Sequence, residues 1–280
     1  MKRASILFIT VILVATLAAC GRGEGGAAGY GAGGGKSLRE GSTAPYHSDI
    51  AQDETYQTLL GLNIILYPAP VDDAKFETFG KPHWDLGPSD FVATMLDIFD
   101  KEMSEQAVYE HVVEPLQGHP LVAEIQDAIY DGEPIQVGWI YGNNDSLGFL
   151  EYDDATVTLI SAEPVILFVG EKDKIDTEKW TYSTKDAEGF YIPENSVIEL
   201  YPGTLHSMPV RVLKKTGQLT AIITPKGLGL ERVSPGAGMD QALVANGRWI
   251  FALPDNSQGY YAGLTGKSIS IEPADSSTRY

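Results

Sequence analysis

Glu199, Tyr201 and His206 lie close together in the stretch 188–209, EGFYIPENSVIELYPGTLHSMP. A carboxylate, a phenol and an imidazole are side chains on which proton transfer depends. The stretch reads as a short apolar run, a turn at Glu194-Asn195, a β-branched and aromatic run at 197–201, and a second turn at Pro202-Gly203. Alternation on a strand puts Val197, Glu199 and Tyr201 on one face and Ile198 and Leu200 on the other. With His206 just past the turn, the three polar groups are expected to converge on one side of a sheet. A second polar set lies upstream. Asn143 and Asp145 fall in a turn, and Leu147, Phe149, Glu151 and Asp153 share one strand face.

The elements that must position these groups follow from the patterning. Residues 53–60 read as a short helix stopped at Gly61, 63–67 as a strand, and 76–81 as a short strand and turn. Helical spacing dominates 88–132: Ser89 is a candidate cap, followed by Phe91, Met95, Leu96, Ile98 and Phe99. Val108, Val112, Val113 and Leu116 suggest a second helical stretch, and Leu121, Val122, Ile125 and Ile129 a third. His111 and His119, without partners at metal-ligand spacing, read as surface or capping histidines. From Pro134 to about residue 271 the chain becomes short strands between turns, 135–141, 147–152, 157–160, 165–169, 210–213, 219–224, 249–253 and 260–264 among them. Strands at such spacing with no helix between them predict an antiparallel sandwich or barrel.

The N-terminus reads as targeting sequence. Lys2 and Arg3 precede a short apolar run that ends in Leu17-Ala18-Ala19-Cys20, resembling a bacterial lipobox, and Cys20 is the single cysteine of the 280 residues. The expectation is a signal peptide over 1–19, a lipidated Cys20 and a Gly-rich tether over 20–43. One domain over 44–280 would then stand outside the cytoplasm, anchored to a membrane by lipid. With Cys20 so used, no thiol remains for a disulfide or a nucleophile. Loss of Lys2 and Arg3 moves the formal charge from −18 to −20, which excludes nucleic acid as a partner. No P-loop, dinucleotide turn or Gly-x-Ser-x-Gly is present, and 173–178 lacks the spacing of a calcium loop.

FETFGK, PIQVGW, FLEYD, YIPENSVIELYPGTLH, ITPKG and RWIFA, in that order over 76–266, resemble the cupin superfamily, and within it a bacterial family known only as a domain of unknown function. A looser similarity is to ureidoglycolate lyase. The resemblance implies a mainly β, double-stranded jelly-roll barrel with an N-terminal helical segment. It also implies a divalent metal (manganese, iron, zinc or magnesium) in the barrel mouth, on Glu151, Asp153 and His206. Histidines of the family would stand at Asn143, Asp153 and Leu253, so the implied metal set is degenerate; Asp153 in place of an imidazole favours harder ions.

Two functions follow. The first is a lipoprotein binding a small hydrophilic ligand such as a carbohydrate, in a pocket lined by Trp139, Tyr141, Phe149, Tyr201 and Trp180. The second is a metal-dependent isomerase or lyase acting on a sugar or sugar acid, with Glu199 or Tyr201 as the proton-transfer group. A homodimer is compatible with the sequence and not specified by it.

Overall fold

Apolar runs separated by turns pair, in the computed structural model, into two large sheets that share a core and a small third sheet of two strands. The structure describes residues 50–63, 68–234, 236–257 and 259–275, all within one unit, Ser42–Tyr280. The signal-peptide, Cys20 and tether assignments, and most of the strand expected at 63–67, lie outside the described residues. No helix among the described residues is long and apolar enough to cross a membrane.

The strands in chain order are β1 (Ala69–Pro70), β2 (Gly80–Pro82), β3 (Val108–Glu110), β4 (Ile135–Gly142), β5 (Phe149–Asp153), β6 (Val157–Ser161), β7 (Val165–Gly170) and β8 (Tyr182–Ser183). They continue with β9 (Glu188–Ile192), β10 (Val197–Leu200), β11 (Leu205–His206), β12 (Val210–Arg211), β13 (Gln218–Pro225), β14 (Leu243–Ala245), β15 (Arg248–Ala252) and β16 (Leu264–Thr265). The first sheet runs β1-β9-β7-β11-β5-β15-β14, with β12 also on β7; the second runs β2-β10-β6-β13-β4-β3. The architecture is mainly β, a two-sheet jelly-roll layout with a helical segment before most of its strands.

Register decides where each side chain goes. On the second sheet Ile222 lies opposite Leu159 and Gly138, and Leu159 opposite Ile198. These isoleucines and Leu159 join Leu167, Val169 and Phe190 of the first sheet in one buried cluster, so this face is the barrel interior. The alternate residues Trp139, Tyr141, Ile160, Val197 and Ala221 belong to a separate cluster with Phe91, Met95, Leu121 and Ile125. Those last four come from α2 (Ser89–Ile98) and α4 (Pro120–Ile129), which cover the outer face. Each fully buried side chain there contributes about 1.5–3 kcal/mol.

The helical segment differs from its expectation in one respect that matters for the site. Val108–Glu110 is a strand, pairing Val108 with Tyr141 and Tyr109 with Ile140, and α3 (Glu114–Gln117) is a single turn. The free edge of β4 offers hydrogen bonds that a β-branched residue and an aromatic take up more readily than a helix would. Elsewhere α1 (Glu54–Leu62) starts at the Asp53 cap as expected. Residues 76–81 instead divide into a 3₁₀ turn, Ala74–Thr78, and β2. In 260–264 only Leu264 enters a strand, pairing with Tyr182. His119 caps α4, accepting a hydrogen bond from the Leu121 amide at 3.2 Å with Pro120 as the first helical residue.

Candidate functional site

Three neighbouring strands of the first sheet, β11, β5 and β15, bring a charged cluster onto the barrel interior. His206 lies directly opposite Glu151, and Arg248 directly opposite Asp153. Alternation then places Phe149, Glu151 and Asp153 on the same face as Arg248, Ile250 and Ala252. From the opposing sheet β3 contributes Tyr109, whose ring centroid is 5.4 Å from the Arg248 guanidinium carbon.

The turn at Pro202-Gly203 delivers His206 to this place. Gly203 has φ +83°, a conformation that L side chains rarely adopt, and its amide donates to the Asp153 carbonyl at 2.8 Å. Tyr201 and Thr204 anchor the same turn to the Phe79 carbonyl at 2.9 and 2.8 Å. The chain thus leaves the second sheet at Leu200 and enters the first at Leu205.

That crossing overturns the expected convergence of Glu199, Tyr201 and His206. Glu199 lies opposite Thr158 and Lys81, on the helix-covered side of the second sheet, and accepts a hydrogen bond from His83 at 2.8 Å. Tyr201 is 37% exposed, and the charges that act on it are Glu199 and Glu77, not the interior set. A proton-transfer role beside His206 has no geometry to support it for either residue.

The expected aromatic lining divides in the same way. Trp139 and Tyr141 are buried under α2, their rings 5.4 and 5.1 Å from Phe99. They are core of the outer layer and do not face the interior. Phe149 does share the charged face and meets Tyr260 edge-on at 5.8 Å. Trp180 lies away from it, beside Lys172, Ile175 and Met239. Asn143 hydrogen-bonds the Met103 carbonyl through its amide, and Leu253 packs in the apolar core.

Glu151, Asp153 and His206 do come together. Their nearest donor atoms all lie within 4.8 Å of one another, a grouping that could hold a metal ion. His206 Nδ1 is 4.0 Å from Glu151 Oε1 and Nε2 is 3.8 Å from Asp153 Oδ2, too long for hydrogen bonds. His206 Nε2 is buried with no hydrogen-bond partner.

Arg248 was not anticipated, and it changes the chemistry. Its Nε and Nη2 donate to the two oxygens of Asp153 at 2.8 and 3.1 Å, and Nε stands 3.9 Å from Glu151 Oε2. Both partners of the fork are buried, Asp153 at 2% and Arg248 at 4% exposure. Burial works against the charge on Arg248, but Glu151 and Asp153 outweigh it and hold the guanidinium protonated. Burial likewise pushes the Asp153 carboxyl up, while His206 and Arg248 bring it below its ordinary value. For His206 burial pushes down, and Asp153 with Glu151 raises the imidazole above its ordinary range.

Tested against this donor set, a divalent metal fits poorly. Asp153 is already committed to a guanidinium through both oxygens, Arg248 also faces Glu151, and the imidazole is held toward its protonated, non-ligating form.

His111 completes the cluster. Its ring lies 4.3 Å from that of Tyr109, and its Nδ1 is buried with no hydrogen-bond partner among the described residues. Burial, then the fields of Arg248 and Arg232, lower its pKa to about 4. It is therefore neutral, and it sits half-buried rather than out in solvent. Arg248 had one legible signal: it opens RWIFA on the face of Ile250 and Ala252, a charge where the pattern calls for an apolar residue. Tyr109 and His111 were hidden by the helical reading of 108–116.

The family model described as "Domain of unknown function (DUF4867)" matches residues 69–269. No curated protein matches the chain. Among solved structures, the polyketide cyclase RemF from Streptomyces resistomycificus is 7% identical, covering 47% of this chain and 72% of its own, with a TM-score of 0.28. Oxalate decarboxylase from Bacillus subtilis, a protein with Mn(II) centres, is 7% identical over 47% of this chain and 28% of its own, with a TM-score of 0.28. An 11S globulin from Wrightia tinctoria is 8% identical over 55% of this chain and 29% of its own, at 0.29. The chain thus spans less than a third of the decarboxylase and the globulin, and likenesses this low carry no argument about activity.

Proposed function

This chain belongs to the family Domain of unknown function (DUF4867), and we propose that its barrel interior binds a small hydrophilic ligand, a carbohydrate or sugar acid, around Glu151, His206 and His111. One observation carries the reading: two imidazole nitrogens, His206 Nε2 and His111 Nδ1, are buried in a charged interior with no hydrogen-bond partner among the described residues. A buried polar atom left unsatisfied costs on the order of 1–3 kcal/mol. Ligand hydroxyls, which both donate and accept, are suited to relieve that cost. The Glu151 side chain, at 18% exposure, is the acidic group of the cluster most open to an incoming molecule. Phe149 and Tyr260 meet on the same face and offer an apolar edge to a sugar ring.

The rest of the proposal concerns place. The Leu-Ala-Ala-Cys20 motif supports an extracytoplasmic domain held at the membrane by lipid on Cys20. A Cys20→Ser variant is expected to leave the membrane fraction, and retention there would count against the anchor. The ligand reading is tested by thermal shift with neutral hexoses and hexuronic acids. A rise in Tm for at least one sugar, lost in Glu151→Gln, is expected; no rise across the panel contradicts it. The metal-dependent isomerase or lyase is the weaker reading, because it needs Asp153 and His206 in forms that Arg248 and the raised imidazole pKa oppose.

A further inference from the structure

We infer that Arg248 is the resident cation of the interior site, a guanidinium that supplies the positive charge Glu151, Asp153 and His206 would otherwise draw from a divalent metal. The inference concerns the same cluster as the proposed ligand site, and its test uses metal alone, so the two readings fail separately.

Four contacts define the guanidinium's seat. Asp153 takes it in a two-point fork at 2.8 and 3.1 Å, and Glu151 stands 3.9 Å from its Nε. The Tyr109 ring covers it from the opposing sheet at 5.4 Å. Gly229 closes the remaining side: a β-carbon there would sit 3.2 Å from both Cζ and Nη1, tighter than ordinary contact. Gly229 also has φ +71°, so the backbone that makes room for the guanidinium is one that other residues adopt only with strain. Such a seat is built for a planar group. Register explains why the group is always present, since pairing of β15 with β5 sets Arg248 directly opposite Asp153.

The consequence is chemical. Two carboxylates and an imidazole gathered within 4.8 Å form a donor set of mixed oxygen and nitrogen type that suits divalent ions. A guanidinium fork engages both Asp153 oxygens and is not displaced by deprotonation, because arginine stays charged at any physiological pH. A metal would have to bind beside a fixed positive charge or break a buried ion pair. Removing the arginine side-chain charge while keeping its apolar bulk should therefore turn the cluster from metal-refusing to metal-binding.

The full-length protein is titrated with Co(II) and with Mn(II), as wild type, Arg248→Met, Arg248→Lys and Arg248→Met/Glu151→Gln. Wild type is expected to take up less than about a tenth of an equivalent at micromolar metal. Arg248→Met should bind one equivalent with affinity raised at least ~10-fold, the scale on which groups around a metal set its affinity. Arg248→Lys, which keeps the charge, should behave as wild type, and the double variant should lose the gain. One equivalent bound tightly by wild type overturns the inference, as does a folded Arg248→Met that binds no better. Should Arg248→Met fail to fold, Mn(II)-induced broadening of side-chain NMR signals in wild type decides. Signals of His206 and Arg248 that stay sharp support the resident cation, and their selective loss overturns it.

Discussion

The two sheets of this barrel each pair a carboxylate with a basic side chain, and the pairs serve different ends. On the second sheet His83 and Glu199 meet at 2.8 Å on the outer face, with two strands, β6 and β13, between them and the strand that carries Trp139 and Tyr141. On the first sheet Asp153 and Arg248 meet at 2.8 and 3.1 Å on the inner face, with Glu151, His206, Tyr109 and His111 around them. The outer pair satisfies itself and ends there. The inner group leaves two imidazole nitrogens without hydrogen-bond partners among the described residues. Residue type does not separate these cases, since each region holds a carboxylate, a histidine and aromatic rings. What separates them is which face of which sheet the alternation selects, and whether the hydrogen bonding closes.

Removing core aromatics from the outer layer should have the largest effect on stability and none on binding. Trp139→Ala is expected to cost about 3–5 kcal/mol, read by chemical denaturation, while any sugar-induced rise in Tm persists. A loss of ligand response with the fold intact would return Trp139 to the site. Arg248→Met belongs at a similar magnitude, about 3–5 kcal/mol, because it leaves Asp153 buried and unpaired. Here the loss should be partly recovered in Arg248→Met/Asp153→Asn, a coupling that a mere packing defect would not produce.

Smaller effects follow on the outer pair. Glu199→Gln keeps a hydrogen-bonding oxygen for His83 and is expected to cost no more than ~1.5 kcal/mol, the scale of one hydrogen bond. A pH dependence follows from His111, whose folded pKa is lowered to about 4. Between its ordinary value near 6.5 and that point, the unfolded chain takes a proton that the folded chain refuses. His111 therefore adds to the loss of stability as pH falls through that window, and His111→Gln should flatten the Tm profile there without altering it above pH 7.

Much of the fold was legible in the chain, and the reasons are local. The strand runs 165–169 and 219–224 are apolar and β-branched between clear turns, and both emerge as strands. His206, Glu151 and Asp153 were readable as a set only through resemblance, because their contact depends on β11 meeting β5. Glu199 misled because alternation within a strand says which residues share a face but not which sheet the strand joins. The turn at Gly203 changes sheets, and five residues after Tyr201 the chain is in a different environment. Tyr109 and His111 were lost to a helical spacing of valines that the β4 edge overrode. Arg248 carried a signal in its strand, yet its partner Asp153 lies 95 residues away in sequence.

The two regions are compared most directly by one paired measurement: the sugar-induced shift in Tm for wild type, Glu151→Gln and Glu199→Gln, across neutral hexoses and hexuronic acids. An interior site on the first sheet predicts a shift in wild type that Glu199→Gln retains and Glu151→Gln loses. Loss in Glu199→Gln with retention in Glu151→Gln, or no shift in wild type for any sugar, would contradict it.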